Sequence, residues 1–363
     1  MPSIQIKTSS CSYPFLCGSN ILEASVKKYT DQMPFSRCYI LVDENVWAFH
    51  KARIRAVFDD CPAEYIVEQI PAGEQSKSVK QWNLLLDKLL ESGVRRNTPL
   101  FAVGGGVTGD LAGFVAASAL RGIPLVHLPT TLLAMVDSSI GGKTGINHAT
   151  GKNLIGAFYQ PQMVIADLQF LHTLPEREWG NGLSEILKYG AIQDASIFER
   201  SAIFKKPEPL QTSQKSLEDL VLTCAQIKAD IVEADEYEAG QRAYLNFGHT
   251  FAHAMEKVAD FNNLNHGEAV YLGMLAALKL SETTGAPVND SLLQNFRSLY
   301  SFRVSEDMLP IKQLMAAMKS DKKVIDENYR FVLLNNWQQP ELKTVNNHEL
   351  IEQAWNSVYQ ELR

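Results

Sequence analysis

Apolar positions in the first half of the chain fall into short unbroken runs, each followed by polar punctuation or by helical spacing. "CYILVD" (38–43) is such a run and ends on an acid, and "AEYIVEQIPAGEQ" (63–75) leads from a strand into a Gly/Pro turn. "QWNLLLDKLLESGV" (81–94) has helical periodicity and a glycine stop; "PLFAVGG" (99–105) reads as a buried strand, and "DLAGFVAASALRG" (110–122) as a helix of small residues. "PLVHLPTT" (124–131) and "MVIADL" (163–168) are further apolar strands. Strands alternating with helices predict an open parallel sheet. Past residue 175 the texture becomes helical, in "WGNGLSEILKYGAI", "LEDLVLTCAQIKADIVEAD", "TFAHAMEKVAD", "GEAVYLGMLAALKLSETTG" and "HELIEQAWNSVYQEL". "RFVLLNNW" (330–337) is the best late strand and reads as one arm of a small hairpin. The expectation is α/β plus all-α: a parallel-sheet domain over 1–176 and a helical domain over 177–363, the change of texture falling within 173–180.

Composition narrows the partners. With 363 residues, 45% of them hydrophobic, the chain can bury a large core and form two domains. A net charge of -7 without a long basic block argues against nucleic acid. The five cysteines are scattered, odd in number and without C-x-x-C spacing, so a disulfide framework is not expected and a reducing cytoplasm is. "MPSIQIKTSS" carries no apolar leader, and the longest apolar run, "AVYLGMLAAL" (269–278), is too short to span a bilayer and reads as a buried helix.

Within "FAVGGGVTGDLAGF" (101–114), Gly104, Gly106 and Gly109 satisfy G-x-G-x-x-G between a strand and a helix. Such a turn brings backbone amides and a positive helix end close to a pyrophosphate. Two features differ from the usual fingerprint: several strands precede it, and the next strand ends "LPTT", with no acid for the ribose. Asp43, Glu74 and Lys77 are earlier candidates for ribose or phosphate contacts. A dinucleotide bound in a non-standard way is set against an ordinary tight turn.

The segment "MVDSSIGGKTGINHATGKNLIGAFYQP" (135–161) carries Asp137, Lys143, Lys152 and Asn153 in a glycine-rich, otherwise apolar setting; it reads as a loop whose lysines and backbone amides suit a phosphate or carboxylate, set against a solvated surface loop. Glu185 and Lys188 in "GLSEILKYG" share a helix face; taken alone they read as a surface ion pair. His249 and His253 in "NFGHTFAHAMEK" also share a face, and His266 opens the buried helix. Three histidines and a helical glutamate suit a catalytic zinc with an open position, but spacing leaves open which two histidines bind and whether one is a base. Lys228, Arg242 and Asn246 add cationic and polar groups nearby in sequence. The implied substrate is small, anionic and oxygen-rich.

"GGGVTGDLAGFVAAS", "PTTLLAMVDSSIGGKTGIN", "GKNLIGAFYQP", "LPEREWGNGLSEILKYG", "RAYLNFGHTFAHA" and "HGEAV" together resemble the 3-dehydroquinate synthases, a likeness running from "SYPFLCGSNIL" to "MKSDKKVID" (318–326). The resemblance implies a Rossmann-like domain followed by a helical domain with the site in the cleft between them, usually in a homodimer. It implies a cytoplasmic, NAD-requiring, metal-dependent lyase of the shikimate pathway, with zinc as the metal and cobalt as the alternative. Its substrate would be 3-deoxy-D-arabino-heptulosonate 7-phosphate, turned into 3-dehydroquinate and phosphate.

By the same resemblance the metal ligands are Glu185, His249 and His266, and His253 either supports those ligands from behind or moves protons. Asp43, Glu74, Lys77, Gly105, Gly106, Asp110, Thr130, Thr131 and Leu133 match nucleotide positions. Lys143 and Asn153 match phosphate contacts, and Arg121 matches an arginine offered to the neighbouring subunit. Lys228 and Arg242 match cations for the substrate carboxylate. Asp137, Lys152, Lys188 and Asn246 complete the substrate shell, with Lys143 and Lys152 also bordering the nucleotide. Lys322, in competition with Lys323, matches a late lysine for the phosphate. Ala252 departs from the glycine of many members. The rival readings are another sugar-phosphate cyclase and a polyol or iron-type alcohol dehydrogenase of the same fold; the latter would need no phosphate pocket.

Overall fold

The computed structural model describes residues 2–205, 209–259, 263–319 and 329–363. The first half contains β1 (Ser3–Lys7), β2 (Ser12–Gly18), α1 (Leu22–Gln32), β3 (Arg37–Asp43), α2 (Glu44–Asp59), β4 (Glu64–Ile70), α3 (Val79–Glu91), β5 (Leu100–Gly104), α4 (Gly106–Ser118), β6 (Leu125–Pro129), β7 (Lys143–His148), β8 (Gly151–Phe158) and β9 (Met163–Asp167). Then follow α5 (Glu176–Ile192), α6 (Ser196–Arg200), α7 (Pro209–Ala234), α8 (His249–Ala259), α9 (His266–Thr283), α10 (Ser291–Gln294), α11 (Ile311–Lys319), β10 (Arg330–Asn336), β11 (Gln339–Thr344) and α12 (His348–Leu362). Two compact units result: Met1–Pro175 with Leu217–Tyr237, and Glu176–Ser216 with Glu238–Arg363.

The first unit holds a seven-stranded sheet of order β1-β2-β9-β6-β5-β3-β4, parallel except for the β1–β2 pair. Its strands are apolar on both faces because both faces are covered. Cys38, Ile40 and Val42 of β3 point into one core with Val26 and Tyr29 of α1 and Ile54 and Phe58 of α2. Tyr39 and Leu41, one residue out of phase, enter the other core with Leu85 and Leu89 of α3 and Leu111 and Val115 of α4. The helix after β3 and the helix after β5 therefore leave these adjacent strands toward opposite faces. That opens a crevice at the carboxyl ends of β3 and β5, where ligands bind in open α/β sheets.

Two local readings change. The helix expected over 110–122 starts at Gly106 and gives way after Ser118 to a 3₁₀ turn, because the glycines form its first turn as well as the bend before it. The glycine-rich segment expected as a loop folds as the β7–β8 hairpin, with Gly145 facing Gly156. A Cβ on Gly156 would lie 2.1 Å from the Thr144 carbonyl oxygen, so this close backbone pairing requires glycine.

Residues 217–237 belong to the first unit and carry a long-range tie. Glu236 accepts from the Ser9 amide (2.9 Å), the Ser9 and Ser10 hydroxyls (2.5 and 2.8 Å) and Gln160 Nε2 (2.9 Å). In the second unit, α9 is buried along nearly its whole length, among α5, α8, α12 and β10. Gly273 lets α8 and α9 touch: a Cβ there would sit 2.2 Å from the Gly248 carbonyl oxygen.

Burial raises the Glu236 pKa but its donors overcome this, holding it down at about 2 against an ordinary 4.5. Its ionised form therefore stabilises the fold above the ordinary carboxylate range, and that contribution fades as pH falls toward 2. Glu236→Gln is expected to lower the denaturation midpoint at pH 7, with the gap to wild type closing between about pH 4.5 and pH 2. A gap independent of pH in paired denaturation curves would refute this.

Candidate active site

The first unit gathers its polar groups at the ends of β3, β5 and β6. Gly105 precedes α4, whose first-turn amides have no partner within the helix. A Cβ on Gly105 would meet Thr131 Cγ2 at 3.0 Å, and one on Gly106 would meet Ser138 Oγ at 3.1 Å, so the glycines let this turn lie against the segment after β6. There the Thr130 amide donates to the Gly104 carbonyl (3.0 Å), and Thr131 Oγ1 accepts from the Ala134 amide (3.1 Å). The Thr130 hydroxyl is buried without a hydrogen-bond partner among the described residues. Leu133 leads into a π-helical turn, Ala134–Ser138, containing Asp137; such turns recur at functional sites. Lys228 Nζ clamps that turn, donating to the Asp137 carbonyl (2.7 Å) and pairing with its carboxylate (2.9 Å).

Asp43 ends β3 and caps α2, its Oδ1 accepting from the Asn45 and Val46 amides. Burial raises its pKa more than those amides lower it. Lys77, 4% exposed, reaches Asp110 (2.7 Å) and Asn153 Oδ1 (2.5 Å), with Glu74 at 3.8 Å. Burial works against its charge, but Asp110 and Glu74 more than offset that and hold its pKa above the usual lysine range. Lys143 opens β7, exposed, and Lys152 lies half-buried in β8. Arg121 stands exposed at the end of the 3₁₀ turn, without an ion pair among the described residues.

In the second unit, Glu185 of α5 is buried beside Lys188, one turn on and equally buried. Lys188 Nζ donates to Glu185 Oε2. Glu185 Oε1 lies 3.4 Å from His249 Nε2 and 3.3 Å from His266 Nε2, with no well-aligned hydrogen bond among the described residues. His249 and His266 are the first residues of α8 and α9. Asn181 Oδ1 accepts from the Gly267 amide (2.7 Å) and Ser184 Oγ donates to the Gly267 carbonyl (2.6 Å), which locks α5 to α9 beside the ligands. A Cβ on Gly267 would stand 2.3 Å from Asn181 Cα, so this approach also needs glycine.

The donor set fits a divalent cation. Bonds of about 2.0–2.1 Å to a tetrahedral zinc separate neighbouring ligand atoms by about 3.4 Å. His249 Nδ1 bonds the Phe247 carbonyl (3.1 Å) and His266 Nδ1 bonds Glu256 (3.2 Å), which leaves both Nε2 atoms facing Glu185. Burial lowers the His249 pKa to about 4. Burial also opposes charge on His266, but Glu185 and Glu256 outweigh it and raise that pKa to about 10. Burial likewise disfavours the Glu185 carboxylate, yet Lys188 and His249 hold its pKa well below the usual range.

His253 follows one turn after His249, exposed, with ring centres 5.7 Å apart, and is not in the three-ligand cluster. Arg242, almost fully buried, and Asn246, bonded to Glu238 (3.0 Å), lie on the 3₁₀ turn just before His249. Lys322 lies outside the described residues.

The 3-dehydroquinate synthase N-terminal family model matches residues 67–181, and the C-terminal model residues 182–324. The chain belongs to the 3-dehydroquinate synthase family. The 3-dehydroquinate synthase of Salinibacter ruber is 44% identical over 299 residues, 82% of either chain. Among solved structures, a 2-deoxy-scyllo-inosose synthase complexed with carbaglucose-6-phosphate, NAD+ and Co2+ superposes with TM-score 0.86 at 26% identity, covering 99% of both chains. A 2-epi-5-epi-valiolone synthase from Streptomyces hygroscopicus with NAD+ and Zn2+ bound gives TM-score 0.84 at 25% identity over 98% of both.

Two residues at these 3-dehydroquinate synthase motifs escaped the sequence reading: Asn147, which bonds Glu74 and Asn153, and Glu256, which holds His266. Glu256 had a signal, lying seven residues after His249 and so on the same face of α8. Glu256→Gln is expected to weaken zinc binding about 10–100-fold, read by competition with a chromogenic chelator. Unchanged affinity would remove Glu256 from the metal's support.

Proposed function

We propose that this chain converts 3-deoxy-D-arabino-heptulosonate 7-phosphate to 3-dehydroquinate and phosphate, as a cytoplasmic enzyme of the shikimate pathway. The observation that carries the reading is the Glu185–His249–His266 set, with Glu185 and His249 buried and His266 half-buried, beside buried Lys188, in a chain of this family. Five free cysteines, three of them buried, and the absence among the described residues of a helix long and apolar enough to cross a membrane agree with that compartment.

The substrate undergoes transient oxidation, phosphate elimination, re-reduction and intramolecular aldol closure, with no net redox change. When bound, NAD+ supplies a hydride acceptor that returns its hydride, and the metal (zinc, with cobalt as the alternative) supplies charge that acidifies the hydroxyl to be oxidised. Glu185, His249 and His266 would hold the metal. Asp43, Glu74, Lys77, Gly105, Gly106, Asp110, Thr130, Thr131 and Leu133 would hold the nucleotide, bordered by Lys143 and Lys152. Lys143, Lys152 and Asn153 orient the phosphate in a fixed positive field. Lys188, Lys228 and Arg242 meet the remaining anionic oxygens, with Asp137 and Asn246 fixing hydroxyls. His253, exposed and next to a ligand histidine, relays protons.

The working form is a homodimer in which Arg121 serves the neighbouring subunit. Its support is local: Leu120 and Arg121 adopt left-handed φ of 51° and 66°, an uncommon conformation, and Arg121 is exposed with no ion pair among the described residues.

The purified protein with zinc, catalytic NAD+ and the heptulosonate phosphate is expected to release one phosphate per substrate with no net NADH, and to stop on chelation. Steady NADH formation from a simple polyol would sink the reading. His253→Ala is expected to slow turnover about 10²–10⁴-fold while metal analysis still finds one zinc per chain; loss of that zinc would make His253 a ligand instead. Mixed after denaturation and refolding together, Arg121→Ala and His253→Ala should regain about one quarter of wild-type sites, since half the dimers are mixed and each holds one intact site. No recovery would place Arg121 outside the partner's site.

A further inference from the structure

Asn147 lies where the β7–β8 ladder fails. Pairing runs from Lys143↔Phe158 to Ile146↔Ile155 and resumes at His148↔Gly151, so Lys152, Asn153 and Leu154 bow out against Asn147 alone. At the apex Asn153 takes a left-handed φ of 53°. The Asn147 side chain replaces the missing ladder bond, its Oδ1 accepting from the Asn153 amide at 2.9 Å. Its Nδ2 donates to Glu74 Oε1 (2.8 Å), and its backbone amide donates to the Lys77 carbonyl (2.8 Å). Lys77 closes the circuit by reaching Asn153 Oδ1 (2.5 Å) and Asp110 (2.7 Å).

We infer that Asn147 is a positioning residue that joins the nucleotide residues to the phosphate residues, so that the two ligands hold one piece of structure. The inference rests on the roles given above to Glu74, Lys77, Lys152 and Asn153. Loss of the carboxamide frees the Lys152–Leu154 bow on one side and Glu74 on the other. Ground-state binding then suffers at both ligands, while the reacting groups of the second unit keep their places.

The test uses the zinc-loaded enzyme with NAD+ and the heptulosonate phosphate. Asn147→Ala is expected to raise KM for the sugar phosphate about tenfold and the NAD+ Kd several-fold, with kcat kept within about threefold. In a Glu74→Ala background it should no longer change the NAD+ Kd but should still raise KM, a pattern that general loosening does not produce. Asn147→Asp, which keeps the acceptor for Asn153 and loses the donor to Glu74, should harm NAD+ binding more than KM and stands in if the alanine variant does not fold. Additive effects on NAD+ binding, unchanged KM, or a loss confined to kcat would each overturn the inference. Wild-type protein that binds NAD+ yet releases no phosphate from this substrate would instead overturn the assigned reaction.

Discussion

A buried carboxylate shared between a buried ammonium and two imidazoles is the constraint around which the second unit is organised. Removing Glu185 and Lys188 from water is unfavourable, and their mutual attraction only partly offsets it. The remaining oxygen of Glu185, facing two ring nitrogens with no well-aligned hydrogen bond among the described residues, makes sense as one corner of a cation site. Much of the surrounding helix packing serves that corner. The Asn265–Glu268 capping box, pinned by Arg177, fixes where α9 begins, and a left-handed Gly248 fixes where α8 begins. The two histidines are placed by the starts of α8 and α9, and the capping box stabilises the second of these.

The first unit solves a different problem. It must aim charged side chains from several loops at one end of a sheet whose interior is mostly apolar. It does so with paired charges: Lys77 with Asp110, and Lys228 with Asp137. Each lysine is satisfied within the protein, so an incoming anion meets groups that are already oriented.

Much of this was legible in the residues because it is local. Short unbroken apolar runs and helical stripes mark β3 to β6 and α8 to α9, and the glycine turn announces the β5–α4 junction by its composition. The β7–β8 hairpin was not legible. Its strands are rich in glycine and lysine, and their pairing depends on backbone contact between Gly145 and Gly156 and on Asn147 reaching Lys77, seventy residues earlier. Glu256 was passed over because its meaning depends on His266, which lies on another helix. Nor does any local pattern in α7 reveal that its later turns join the first unit: "LEDLVLTCAQIKADIVEAD" is an ordinary amphipathic helix, and only partners such as Asp137, Ser9 and Gln160 decide where it goes.

That membership has a bearing on biosynthesis. The sheet is fully synthesised once Asp167 has been made, but the segment that braces its first hairpin ends at Tyr237. At roughly 5–20 residues per second, the ribosome takes about 3.5–14 s to cover the intervening stretch, and α5 and α6 are synthesised during that time. The nascent first unit must therefore wait with Ser9 and Ser10 unbraced while part of the second is already being made, so the two units of this chain do not mature strictly one after the other.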